Sequence, residues 1–181
     1  MHALFVFSNN MEDIESIGTR GLLKRAGFDV TTTTFNESTL LTTKFDQEIK
    51  VDTLGDSINV NDYDFLVIPG GPYVKETVDA DTKVKALAKS FSDANKPIAA
   101  ICAGPRFLGQ AGLLDGKRYT AFTGSDKDAP NGIYDPSKKA MREGNLITAR
   151  GAGAVYAFVY EIVKYLKDEA SADQLMESIL Y

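Results

Sequence analysis

One cysteine and one histidine are all that 181 residues offer of either type. A lone cysteine excludes an intramolecular disulfide and any zinc site built on several thiolates. It suits a reducing compartment, so a cytoplasmic location is expected. A lone histidine, His2, leaves most thiol-hydrolase chemistry without its usual base. Long apolar runs are also missing. None approaches the roughly 20 residues that a membrane-spanning helix needs. The opening run Ala3-Leu4-Phe5-Val6-Phe7 is short, has no basic flank and leads into Glu12-Asp13, so it does not read as a signal peptide. Positive charge is scarce as well: 20 Lys and Arg stand against 25 Asp and Glu, a net charge of −5. Binding phosphate backbones wants a basic face, so neither nucleic acid nor a membrane is expected as a partner. Repeats, low-complexity tracts and linkers are absent.

What is present is the composition of an ordinary globular domain, 44% hydrophobic and 25% charged, long enough for one substantial core over residues 1–181. Residues 3–7 read as a buried strand. Ile14, Ile17, Gly18, Gly21 and Leu22 recur at helical spacing, and Gly27 is a natural helix stop. Residues 28–35, with Val30 and a run of threonines, read as the next strand. Residues 48–52 and 57–60 read as a short excursion of strands around Gly55-Asp56. Phe65-Leu66-Val67-Ile68 is a second apolar strand ending in Pro69-Gly70-Gly71. A helix over about 80–94 presents Val84, Leu87, Ala88 and Phe91 on one face. Ile98-Ala99-Ala100-Ile101 is a third buried strand. A short helix follows with Phe107 and Leu108, then a strand over 118–122 and a loop over 123–138. Residues 141–143 and 146–149 pair across Gly144-Asn145. A last long helix spans about 153–167, and a terminal helical piece carries Leu175, Met176 and Ile179. Strands alternating with helices, the best strands apolar on both faces, predict an α/β fold: a mostly parallel sheet in a flavodoxin-like three-layer sandwich. Sites in such sheets lie at the carboxyl ends of the strands.

Three loops leave strand ends on that edge: residues 8–15, Gly70-Gly71-Pro72 and Cys102-Ala103-Gly104-Pro105. Cys102 sits on a strand-to-helix turn, with small residues two before (Ala100) and two after (Gly104). A nucleophile elbow needs that, because the turn is tight. The helix beginning just after it aims free N–H groups and a positive dipole end at the sulfur, which lowers a thiol's pKa. The plainer alternative is a buried structural cysteine. Glu15 borders the apolar face of the first helix. It is either a chemical partner or, like Glu12 and Asp13, an acidic residue favoured in a helix's first turn. The N–H groups of Gly71 and Ala103 could face one oxygen and hold negative charge there; Gly70-Gly71 could equally be a plain turn. Arg150 could bind an anion, hold a subunit contact or simply be solvated.

Ala99-Ala100-Ile101-Cys102-Ala103-Gly104-Pro105 resembles the nucleophile motif of the ThiJ/PfpI superfamily, and more narrowly the branch of the parkinsonism-associated protein deglycase. Residues 11–15 with Arg25-Ala26-Gly27 resemble that branch's first helix. Residues 63–71 resemble its glycine loop, and Thr148-Ala149-Arg150-Gly151-Ala152-Gly153 the segment before its last long helix. The four motifs occur in order over nearly the whole chain. The resemblance implies that Glu15 hydrogen-bonds Cys102 and can act as general acid or base. It implies glyoxalase- or deglycase-like action on 2-oxoaldehydes with no metal or organic cofactor, and a homodimer. One departure matters. Relatives place a histidine directly after the cysteine, here Ala103, or in the strand after the elbow helix, here Phe122. His2 lies at the other end of its strand, on the order of 17 Å away. A Cys-His triad is excluded on this reading, and Phe122 is expected to dry the site, which opposes the dipole by raising the thiol pKa. Besides a small carbonyl substrate, an oxidant is therefore a candidate partner: Cys102 would oxidise to sulfinic acid in a stress-sensing or protective protein.

Overall fold

The computed structural model describes residues Met1–Tyr181. The first strand, β1 (His2–Val6), is buried along its length beyond His2. A π-helical turn (Ile14–Gly18) runs into α1 (Thr19–Arg25), and β2 (Asp29–Thr34) returns beside β1. A hairpin of β3 (Leu40–Thr42) and β4 (Glu48–Lys50) precedes the short edge strand β5 (Thr53–Leu54). Next come β6 (Phe65–Ile68), α2 (Pro72–Thr77), α3 (Lys83–Asp93), β7 (Ile98–Ile101) and α4 (Pro105–Gln110). The two-residue strands β8 (Arg118–Tyr119) and β9 (Ile133–Tyr134) pair with each other. Finally β10 (Ala140–Glu143) and β11 (Leu146–Ala149) lead to α5 (Val155–Leu166) and α6 (Glu169–Ser178).

Seven strands form the main sheet in the order β10-β11-β7-β6-β1-β2-β5. Only β10, joined to β11 by the Gly144 turn, is antiparallel. All residues of β6, β7 and β11 are buried, as their unbroken apolar runs predict for strands covered on both faces. Helices α1 and α5 pack together on one side, and α5 also meets β7, β10 and β11; α3 lies on β6 and β7 against α4. This is the three-layer α/β sandwich expected from the sequence. The buried threonines of β2 are satisfied: Thr32 Oγ1 donates to Asp52 at 2.6 Å, and Thr34 Oγ1 to Asn36 at 3.0 Å. No helix is long and apolar enough to cross a membrane.

Several expectations need correction. The excursion after β2 is a hairpin whose turn falls at residues 43–47, not at Gly55-Asp56, because Asp46 takes the left-handed conformation that closes it (φ 63°). Residues 55–57 and 60–62 are 3₁₀ turns. The expected strand over 118–122 keeps only its first two residues. His2 belongs to β1 rather than preceding it, and its Nε2 lies 2.8 Å from Thr31 Oγ1. The apolar stripe of the first helix does not face the sheet: Ile14 and Ile17 are 56% and 38% exposed, whereas Ser16, Thr19 and Leu23 are buried. The π-turn explains this, since one extra residue in a turn rotates the register of everything preceding it.

Candidate active site

Strands β1, β6 and β7 are neighbours, so the loops that leave their carboxyl ends converge. The sheet order also reverses here, β2 lying on one side of β1 and β6 on the other, which is where open α/β sheets hold their ligands. Cys102 is the first residue beyond β7. Its backbone is left-handed (φ 62°), a conformation that costs a non-glycine residue about 1–3 kcal/mol. Two bonds hold it there. The Cys102 N–H donates to the Ala149 carbonyl, and the Cys102 carbonyl accepts from the Phe122 N–H, both at 2.8 Å. The flanking glycines are demanded by contact. A Cβ on Gly104 would stand 2.6 Å from the Ile68 carbonyl oxygen, and one on Gly70 would stand 2.6 Å from both Cys102 Cβ and Glu15 Oε2.

Glu15 is only 1% exposed. The π-turn carries it towards Cys102, and the two side chains lie within hydrogen-bonding reach. The Gly70 N–H donates to Glu15 Oε2 at 3.2 Å, and the Ala152 N–H also serves this carboxylate. Burial outweighs these donors and raises the Glu15 pKa to about 7. Burial likewise pushes the Cys102 thiol well above its ordinary value, and the Glu15 charge and hydrogen bond push it further; the Ala103 N–H pulls the other way and loses. Burial and the neighbouring carboxylate thus oppose the lowering expected from the following helix. That helix is a short one that starts only at Pro105. Near neutral pH these shifts leave the thiol protonated and the carboxyl close to its midpoint.

The remaining predicted residues divide. Gly71 and Ala103 line the cavity at Cys102, and neither N–H finds a backbone acceptor. Gly70 does not face the cavity; its N–H is spent on Glu15. Phe122 lines the cavity but is 55% exposed, so it forms an open wall rather than drying the site. Arg150 is exposed and lies outside the cavity lining; Gly151 and Ala152 take that place. Glu12, set aside in the sequence as a solvated first-turn acid, is 8% exposed and accepts from the Glu15 N–H at 2.8 Å. Its spacing, three residues before the amide it holds, is that of a capping side chain and was the one available signal. Arg106 also lines the cavity, but it is bound to Asp128 at 2.5 Å, with both side chains 8% exposed. The cavity measures about 540 Å³. A second hollow of about 450 Å³ beside Ser8, Asn36 and Asp81 holds no cysteine or histidine. No three His, Cys, Asp or Glu side chains converge anywhere as metal ligands would.

A parallel α/β sandwich with a strained cysteine on a nucleophile elbow and a buried acid beside it defines a class of cysteine-centred proteins. The chain belongs to the DJ-1/PfpI family, whose model matches residues 1–165. It is 35% identical to the deglycase PfpI of Pyrococcus furiosus over 168 residues, 92% of this chain and 100% of that protein. It is 29% identical to protein dj-1beta of Drosophila melanogaster over 179 residues, 98% of this chain and 96% of that one. The crystal structure of Drosophila DJ-1beta superposes with a TM-score of 0.90 at 29% identity, covering 99% of this chain and 97% of that chain.

Proposed function

We propose that this protein is a deglycase- or glyoxalase-like enzyme acting on small 2-oxoaldehydes through Cys102 and Glu15, with no histidine. One observation carries the reading: a buried carboxyl group is packed against the only thiol, both within 2.6 Å of where a Cβ on Gly70 would stand, at the wall of an open cavity, and burial raises its pKa to about 7. A group titrating there is matched to general acid–base work near neutrality. The names of the Pyrococcus relatives, deglycases, support the same class.

The resting thiol is neutral, so its proton leaves as the substrate arrives. Ionised Glu15 takes the thiol proton while sulfur bonds to the aldehyde carbon and the carbonyl π-electrons move to oxygen. The N–H groups of Gly71 and Ala103, which have no backbone acceptor and line the cavity, would receive that oxyanion. Glu15 then protonates the oxygen, giving a hemithioacetal. It next removes the hydrogen from the same carbon as the ketone oxygen takes up a proton, giving an enediol, and returns the hydrogen to the neighbouring carbon as the first hydroxyl gives up its proton, leaving a thioester of a 2-hydroxy acid. Water releases the acid and restores the thiol. Oxidation of Cys102 to sulfinic acid is the second reading. The neighbouring carboxyl would stabilise a sulfinate, but a thiol pushed upward oxidises slowly, which weighs against it.

Methylglyoxal consumption tests the proposal. Cys102→Ala is expected to abolish it, and Glu15→Gln to slow it by about 10²–10⁴-fold, the usual contribution of general acid–base catalysis. Turnover surviving Cys102→Ala would remove the enzyme reading.

The protein is further proposed to pair with a second copy of itself. The exposed Ile14, Ile17 and Gly21, with half-buried Gly18 and Leu22, border a hollow shared with Val155, Tyr156 and Ile179, and support a homodimer face. A Cβ on Gly21 would meet nothing, so this glycine is turned outward. The single free thiol supports a cytoplasmic location.

A further inference from the structure

We infer that the substrate carries an anionic group, a carboxylate or a phosphate, next to its reactive carbonyl, and that Lys44, Lys75 and Lys127 receive it. The inference rests on the proposed role of Cys102 as nucleophile and names the substrate class of that site. The three lysines line the Cys102 cavity from three separate elements: the turn between β3 and β4, helix α2, and the 3₁₀ turn Asp126–Asp128. None forms an ion pair, and none of their ammonium groups makes a hydrogen bond within the chain. Lys44 only rests 5.0 Å above the Phe45 ring.

The hairpin bearing Lys44 is tied to the catalytic loop rather than hanging free. The Lys44 N–H donates to the Met11 carbonyl at 2.9 Å, the Asn10 N–H to the Thr42 carbonyl at 2.9 Å, and Thr43 Oγ1 to Asp13 at 2.7 Å. Opposing charge in the cavity is smaller. Arg106 and Asp128 cancel each other, Glu12 accepts from the Glu15 amide, and Glu15 is only partly ionised near neutral pH. A chain of net charge −5 thus gathers three unpaired cations around its one nucleophile. Like charges lining a cleft concentrate ligands of the opposite sign.

Two alkylating reagents of nearly the same shape test this on the full chain. Iodoacetate is anionic and iodoacetamide neutral. Each forms the same S–CH₂ bond with loss of iodide, and Cys102 is the only thiol that reacts. The ratio of their rates therefore reports charge at the site, whatever the thiolate fraction. Relative to free cysteine, the iodoacetate-to-iodoacetamide ratio is expected to be raised about fivefold at low salt and to fall as salt screens the lysines. It should drop to the free-cysteine value in Lys44→Gln/Lys75→Gln/Lys127→Gln and be retained in Lys75→Arg. The wild-type salt series needs no variant to fold. In parallel, kcat/KM is measured for methylglyoxal, for 4,5-dioxovalerate, which adds a carboxylate, and for hydroxypyruvaldehyde phosphate. The better of the two anionic aldehydes identifies the group recognised. A ratio equal to that of free cysteine and indifferent to salt overturns the inference even if methylglyoxal is consumed, and so does a preference for methylglyoxal over both anionic aldehydes. A raised ratio with no turnover of any aldehyde leaves the anion site standing and removes the enzyme reading.

Discussion

At the scale of single residues, the account depends on how little room surrounds Cys102 and Glu15. Gly70 has no substitute there, because any Cβ would collide with both partners at 2.6 Å. Gly70→Ala is expected to part the pair, slowing methylglyoxal turnover at least about 10²-fold and destabilising the fold by about 1–3 kcal/mol. Kinetics and denaturant unfolding on the same variant check both halves. The small residues about Cys102 were legible in the sequence because a tight turn leaves no alternative to them. The state of its thiol was not. The dipole argument concerned a helix beginning beside the sulfur, and this one begins three residues on, while burial and a carboxylate act directly. Phe122 reaches the cavity, but on a loop beyond the two-residue strand β8 that leaves its ring exposed, and Arg150, directly after β11, lies outside the lining.

At the scale of elements, the π-turn does two things. It turns Glu15 inward and leaves Ile14 and Ile17 outward. No hydrophobic pattern announces one inserted residue, so a regular helix was the natural reading of residues 14–22. Glu12 holds the turn through the Glu15 N–H at 2.8 Å. Glu12→Ala removes that acceptor and is expected to cost about 1 kcal/mol, with a larger fractional loss in kcat than in KM, because a displaced Glu15 moves protons poorly without altering substrate entry. Glu12→Gln, which keeps an acceptor, should recover most of the stability. The strands β1, β6 and β7 were readable because continuous apolar runs have one good use in an α/β sheet, and β11 because it pairs with β10 across Gly144-Asn145. Lys44, Lys75 and Lys127 were not readable as a group, since only the folded loops bring them to one cavity.

At the scale of the whole molecule, two consequences follow. Ile17→Glu places a charge in the proposed pairing face, and sedimentation is expected to show a dimer for the wild type and a monomer for the variant; the same species in both would remove that face from consideration. The second consequence is a pH dependence of stability. Folding raises the Glu15 pKa from 4.5 to about 7, so the native state keeps its proton longer than the unfolded chain. Its favourable contribution is full below about pH 4.5 and is lost as pH rises through about 7, a difference of about 3 kcal/mol. Glu15→Gln carries no such loss. Thermal or denaturant unfolding should therefore find the variant gaining on the wild type between those pH values, most clearly near pH 8. A gap that does not change with pH would contradict the raised value.

The most direct test is the ionisation of the single thiol, followed by thiolate absorbance against pH in the wild type and in Glu15→Gln. Burial and the Glu15 charge keep Cys102 neutral through pH 7 and beyond about pH 9 in the wild type, and its midpoint comes down once that charge is removed. A thiolate already formed at pH 7, or a midpoint that does not move in the variant, would contradict it.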